Sequence, residues 1–147
     1  MAIATGNAIE RSSVIISVFS TSPGIGKTVV AINLAAGLAE AGYKVCLADL
    51  DLQFGDVMNY LQLTTSKTIA GAQRTLLDNS KAFHIEDFLT EYSIGKLSFS
   101  ILPAPRFIFD AYQIDVQILT DIIKQLDYFD FVILDLNYAG VITRDHV

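Results

Sequence analysis

Ser20-Thr21-Ser22-Pro23-Gly24-Ile25-Gly26-Lys27-Thr28 joins two segments of different character. Before it, Val14 to Ser20 is rich in Val, Ile and Phe, as a buried strand would be. After it, a helix is expected from about Lys27 to Ala41, closed by Gly42 where a left-handed backbone costs little. Gly24 and Gly26 remove side chains where the chain must curl tightly. Exposed N–H groups and the positive end of the helix dipole would then face an anion. Lys27 adds a point charge for β- and γ-phosphates, and the Thr28 hydroxyl is suited to Mg²⁺. The expected cradle is Pro23, Gly24, Ile25, Gly26, Lys27, Thr28 and Val29.

Further along the chain, short apolar runs alternate with helical patterns, which indicates βαβ units and a mostly parallel sheet flanked by helices. The second strand is expected at Lys44 to Leu50, the third at Lys96 to Leu102 before Pro103 and Pro105, and the fourth at Phe131 to Leu136. Thr68 is expected to cap a helix over Ile69 to Leu77, and a further helix is expected over Ile85 to Tyr92. Ile114, Ile118, Ile122 and Leu126 recur every four residues, the stripe of an amphipathic surface helix. The helix after Lys27 is apolar nearly all round and is expected to be covered on most sides. Residues 1–13 read as a tail, and 14–147 as the N-terminal part of one nucleotide-binding domain.

Two strands end in carboxylates. Asp49 and Asp51 have the alternate spacing that points two side chains the same way, and Asp135 closes Phe131-Val132-Ile133-Leu134. Ligands of parallel α/β sheets bind outside the carboxyl ends of the strands. Crowded carboxylates repel unless a cation intervenes, so Thr28, Asp49, Asp51 and Asp135 are the candidate magnesium set. Taken alone, an aspartate there is also an ordinary strand stop.

Composition narrows the class. The 147 residues are 52% hydrophobic and 18% charged, which excludes a disordered chain. No apolar run reaches the roughly 18 residues of a membrane span, so a soluble protein is expected. The single cysteine, Cys46, permits no internal disulfide and fits a reducing compartment. Ten basic residues against sixteen acidic give a net charge of −6, which disfavours nucleic acid as a partner. His84 and His146 lack metal-ligand spacing. Arg106 reads as exposed, with a phosphate or a partner as the alternative, and Phe107 to Tyr112 as a partner surface or satellite packing.

The spacing G-x-x-x-x-G-K-[ST] of the common phosphate loop is not met, because Thr21 stands where its first glycine belongs. The stretch Ser22-Pro23-Gly24-Ile25-Gly26-Lys27-Thr28 instead resembles the deviant Walker A motif of the MinD/ParA superfamily, Lys-Gly-Gly-x-Gly-Lys-Thr. Ser22 replaces the signature lysine, which in that family reaches the partner's nucleotide across a dimer interface, and Pro23 replaces the first glycine. The resemblance implies a P-loop fold, Mg-ATP binding and an ATP-dependent homodimer. It assigns catalysis to Lys27 and Asp51, with Asp51 placing the attacking water, Asp49 supporting the magnesium shell and Asp135 holding magnesium through a water. It implies efficient hydrolysis less than binding, since a serine hydroxyl carries no charge to neutralise the transition state. Gly140 falls in the family's switch segment, although Leu136-Asn137-Tyr138 stands where a proline is usual.

Asp49-Leu50-Asp51-Leu52-Gln53-Phe54-Gly55-Asp56-Val57, Thr68-Ile69-Ala70 and Leu102-Pro103-Ala104-Pro105-Arg106 resemble the CpaE/TadZ group of Flp pilus assembly ATPases. This implies a cytoplasmic factor recruited to a cell pole or the inner membrane face, with pilus assembly or polar proteins as partners. Against the family's usual length, the chain reads as a fragment without the adenine-recognising part. A nucleotide-dependent scaffold with little hydrolysis is the alternative, and a ParA-type DNA partitioning ATPase the third.

Overall fold

A strand buried along its whole length needs cover on both faces, and Val45–Leu50 is such a strand. It lies inside a six-stranded sheet in the computed structural model, which describes residues 2–6, 13–20 and 26–136. In chain order the elements are β1 (Ala2–Gly6), β2 (Val14–Phe19), α1 (Lys27–Glu40), β3 (Val45–Leu50), α2 (Val57–Tyr60) and α3 (Ile69–Leu77). A 3₁₀ turn (Ile85–Phe88) follows, then β4 (Thr90–Ile94), β5 (Leu97–Leu102), α4 (Ile108–Ala111), α5 (Val116–Lys124) and β6 (Phe131–Leu136). The strand order is β1-β2-β6-β3-β5-β4. The four strands expected from sequence are the inner, mutually parallel ones, and β1 and β4 pair antiparallel at the two edges.

The pleat divides the core in two. Val45 and Leu47 of β3 join Val18, Phe99, Ile101 and Ile133 under Ala31 and Ala35 of α1. Cys46, Ala48 and Leu50 face the other way, onto Ile69 and Ala72 of α3 and Leu119 and Ile122 of α5. Alanines at α1's contact positions let its backbone approach the sheet closely. α1 ends as expected: Gly42 has φ 96°, its N–H donates to Ala39 O (3.0 Å), and Tyr43 N–H donates to Leu38 O (3.1 Å), a Schellman closure. α5 starts at Asp115, whose carboxylate accepts from the N–H groups of Gln117 (2.9 Å) and Ile118 (3.2 Å).

Three expectations are corrected. Residues 2–6 pair with β2 as a strand, where a tail was expected. Ile85 to Tyr92 is not a helix: the 3₁₀ turn passes directly into β4, which forms a two-residue hairpin with β5 around Gly95 (φ 58°), the positive φ such a turn requires. α1 is packed over most of its circumference, as expected, with Val29, Asn33 and Gly37 left as an exposed outer stripe. Thr68 stands at the N-cap of α3, but its hydroxyl accepts no bond from the helix. No helix among the described residues is long and apolar enough to cross a membrane.

The loop after β3 is packed without slack. A Cβ built on Gly55 would lie 2.4 Å from the Ala104 Cβ and 2.7 Å from Asp49 Oδ2. Gly55→Ala is therefore expected to lower the unfolding free energy by about 1–3 kcal/mol, read as a lower urea midpoint. Cys46 is fully buried, and burial pushes its thiol well above the ordinary range. The native chain should not react with a disulfide reagent such as DTNB at pH 8, and the thiol should react fully once urea unfolds the protein.

Candidate functional site

The alternation that puts Leu47 and Ile133 under α1 also puts Asp49 and Asp135 on that face, two residues further along each strand. β3 and β6 are neighbours, and their register sets Asp49 directly opposite Asp135. The first residues of α1 come down on this pair. Gly26, with φ 71°, occupies the helix N-cap in the left-handed region that glycine tolerates. Lys27 Nζ donates to Asp135 Oδ1, and Thr28 Oγ1 donates to Asp135 Oδ2 at 3.0 Å. The same ammonium lies 4.0 Å from Asp51 Oδ2.

Burial decides how these charges behave. Asp135 has no exposed surface and the Lys27 side chain is 10% exposed. Burial raises the Asp135 carboxyl above its ordinary value, while the Lys27 ammonium and the Thr28 hydroxyl pull against that shift. An ammonium between two carboxylates, one fully desolvated, is held electrostatically and can be drawn away only by a comparable negative charge.

Asp49 is arranged differently. Its Oδ1 accepts from Asp51 N–H and its Oδ2 from Val57 N–H, each at 3.2 Å, so it ties the β3–α2 loop to the sheet. Burial first, then the neighbouring Asp135 charge, pushes its carboxyl up to about 8. Asp51 is the outer member: its Oδ1 accepts from Phe54 N–H (3.3 Å), and its side chain is 16% exposed.

Of the candidate residues, Lys27, Thr28, Asp51 and Asp135 are brought together. Asp49 is adjacent but turned onto backbone amides, and Val29 is exposed on α1's outer stripe. Ser22, Pro23, Gly24, Ile25 and Gly140 lie outside the described residues. Among the described residues no three His, Cys, Asp or Glu side chains form a metal-binding cluster. The oxygens at the start of α1 therefore fit only a cation that draws most of its ligands from elsewhere, as Mg²⁺ does when water and phosphate complete its octahedron. The loop anchoring by Asp49 was not read from sequence. Its signal, an acceptor satisfied by an amide eight residues later, carries no local pattern.

Comparison with known proteins agrees with this geometry. The protein-tyrosine kinase CpsD of Streptococcus pneumoniae serotype 4 is 32% identical over 133 residues, which cover 87% of this chain and 54% of that protein. The septum site-determining protein MinD of Pyrococcus horikoshii, solved with Mg-ADP, superposes with a TM-score of 0.68 at 28% identity, covering 84% of this chain and 49% of that one. A ParA family ATPase of Chlorobium tepidum shares the fold, with a TM-score of 0.70 at 24% identity, covering 88% of this chain and 52% of that one. The chain thus spans about half the length of the relatives it matches. The family model described as the CobQ/CobB/MinD/ParA nucleotide binding domain matches residues 16–146, and the chain belongs to that family.

Proposed function

We propose that the chain binds Mg-ATP at the start of α1 and works as a nucleotide-driven positioning factor, closing as a homodimer with ATP and opening after hydrolysis. The observation that carries this reading is the pair of bonds from Lys27 and Thr28 to the buried Asp135. Lys27 exchanges Asp135 for the β- and γ-phosphates, an exchange of one anion for another. Thr28 Oγ1 and, through water, Asp135 would hold magnesium, which when bound neutralises charge developing on the transferred phosphoryl group. Asp51, exposed enough to reach water, orients the attacking molecule. Gly24, Ile25 and Gly26 supply backbone N–H groups to the phosphates, flanked by Pro23 and Val29. Asp49 acts by fixing the loop that carries Asp51. The MinD of P. horikoshii was solved with Mg-ADP, which supports nucleotide and magnesium here.

At the level of the cell, the stretches from Asp49 to Val57 and Leu102 to Arg106 favour the CpaE/TadZ group, with a pilus assembly or polar protein as partner. Ser22 in place of the signature lysine favours slow turnover, so that the bound state itself is the signal.

One comparison favours a second reading. The pneumococcal relative is named a tyrosine-protein kinase. The same site could pass the γ-phosphoryl group of ATP to a tyrosine hydroxyl in place of water, forming a phosphate ester and ADP and releasing the hydroxyl proton.

Removing the Lys27 ammonium leaves the phosphates without their nearest cation. Lys27→Ala should weaken Mg-ATP binding by about 100-fold or more in titration calorimetry, and undiminished affinity would end the assignment. Phosphate release by the wild-type chain should be slower than that of Ser22→Lys. Equal rates would remove the slow-turnover reading, and phosphotyrosine on incubation with Mg-ATP would favour the kinase reading.

A further inference from the structure

The capping bond that Thr68 fails to make points to a second site. Thr68 is 5% exposed, and among the described residues its hydroxyl has no hydrogen-bond partner. A buried hydroxyl left unpaired costs free energy that a partner of the right chemistry would recover. The helix it precedes, α3, is nine residues long and has no acidic side chain in its first turn. Ile69 N–H is taken by the Pro103 carbonyl at 2.9 Å, while the N–H groups of Ala70 and Gly71 have no acceptor among the described residues. The start of α3 therefore keeps uncompensated positive character.

Thr68 and Pro103 line a cleft of about 250 Å³, together with Asn59, Thr64 and Arg106. Arg106 forms no ion pair among the described residues; its guanidinium carbon lies 5.6 Å from the centre of the exposed Phe107 ring. Asp49 is the single acidic residue of the lining, and both its oxygens are turned onto the Asp51 and Val57 amides. Arg106, which has no carboxylate partner among the described residues, and Thr68, whose buried hydroxyl is unpaired and which stands at the start of α3, thus line one cleft. Its volume is below the ~300–1,000 Å³ of pockets for drug-sized ligands, so its occupant is small.

We propose that this cleft is a second ligand site, separate from the one at Lys27, and that it takes the oxyanion of a small molecule, a phosphate or a carboxylate group, on Arg106 and on Thr68 at the N-cap of α3. The site lies outside the carboxyl ends of β3 and β5, with Pro103 to Arg106, directly after β5, on its wall. It does not depend on the nucleotide reading, because no residue that binds the anion is shared with the Lys27 site.

The test is amide NMR on the ¹⁵N-labelled chain, titrated with inorganic phosphate and, in a separate series, with acetate. The Thr68, Ala70 and Gly71 amides should shift saturably with at least one ion, with a midpoint of order millimolar. The shifts should persist in Lys27→Ala and weaken roughly tenfold or more in Arg106→Gln. Saturation by phosphate alone assigns a phosphoryl ligand, by acetate alone a carboxylate, and by both the shared oxyanion chemistry. Thr68→Val keeps the side-chain shape without the hydroxyl, so it should weaken ion binding while leaving the urea midpoint unchanged or higher. No saturable shift with either ion, shifts unchanged in Arg106→Gln, shifts lost in Lys27→Ala, or a destabilised Thr68→Val would each overturn the proposal. Failure of Lys27→Ala to impair Mg-ATP binding would count against the nucleotide reading alone.

Discussion

A carboxylate with no exposed surface at the end of a central strand is an expensive feature, and Asp135 is tolerated because two neighbours meet its needs. Taking a charge out of water costs several kcal/mol even after relaxation. Lys27 offsets that with an ammonium on Oδ1 and Thr28 with a hydroxyl on Oδ2, so each oxygen has its own donor. The partners are consecutive residues of one helix, which makes Asp135 the point where α1 is referenced to the sheet. The second carboxylate on that face, Asp49, sits directly opposite and could not share the same donors. The conflict is resolved by giving Asp49 a different set, the backbone amides of Asp51 and Val57. One pair of opposed carboxyl groups thereby fixes both a helix and a loop.

The division of donors has a spatial consequence. Because Asp49 draws the β3–α2 loop inward, Gly55 is pressed against Ala104 at the end of β5, where only a hydrogen fits. The loop then separates two regions outside the strand ends: the Lys27 side, reached across Asp135, and the cleft toward Thr68 and Arg106. Asp49 belongs to the wall of both. Anything that moves Asp51 on one side moves an amide that Asp49 holds, so the two regions share a mechanical element while sharing no anion-binding side chain.

The inner sheet was legible in the sequence because strands buried on both faces are continuous apolar runs, and Phe131 to Leu136 falls where the pattern puts it. The edge strands were not. Ile85, Phe88, Leu89 and Tyr92 have the i, i+3, i+4, i+7 spacing of a helix, yet Ile85 is core under the 3₁₀ turn, Phe88 stacks on Phe83, and Tyr92 packs on Phe99 across the hairpin. Spacing cannot distinguish one helical stripe from three separate contacts. The same limit applies to the site. Lys27 and Thr28 carry their chemistry in their types, so their place beside the strand-end carboxylates could be expected, whereas their direct bonds to Asp135 could not. Whether Asp49 faces a cation or two amides depends on the path of a loop, and Thr68 looked like an ordinary cap because residue type and position do not show which way its hydroxyl turns.

Net charge then separates the kinds of anion such a surface can accept. With a formal charge of −6, the molecule repels polyanions at long range. At physiological ionic strength that field decays over about 8 Å, so within contact distance a few local groups outweigh it. A small anion needs to satisfy only a few such local groups, as at the proposed cleft of Arg106 and Thr68. An extended nucleic acid would have to cover surface beyond any such pocket, where the net negative field opposes each added phosphate. A net acidic body with few basic side chains therefore favours compact anions over extended ones.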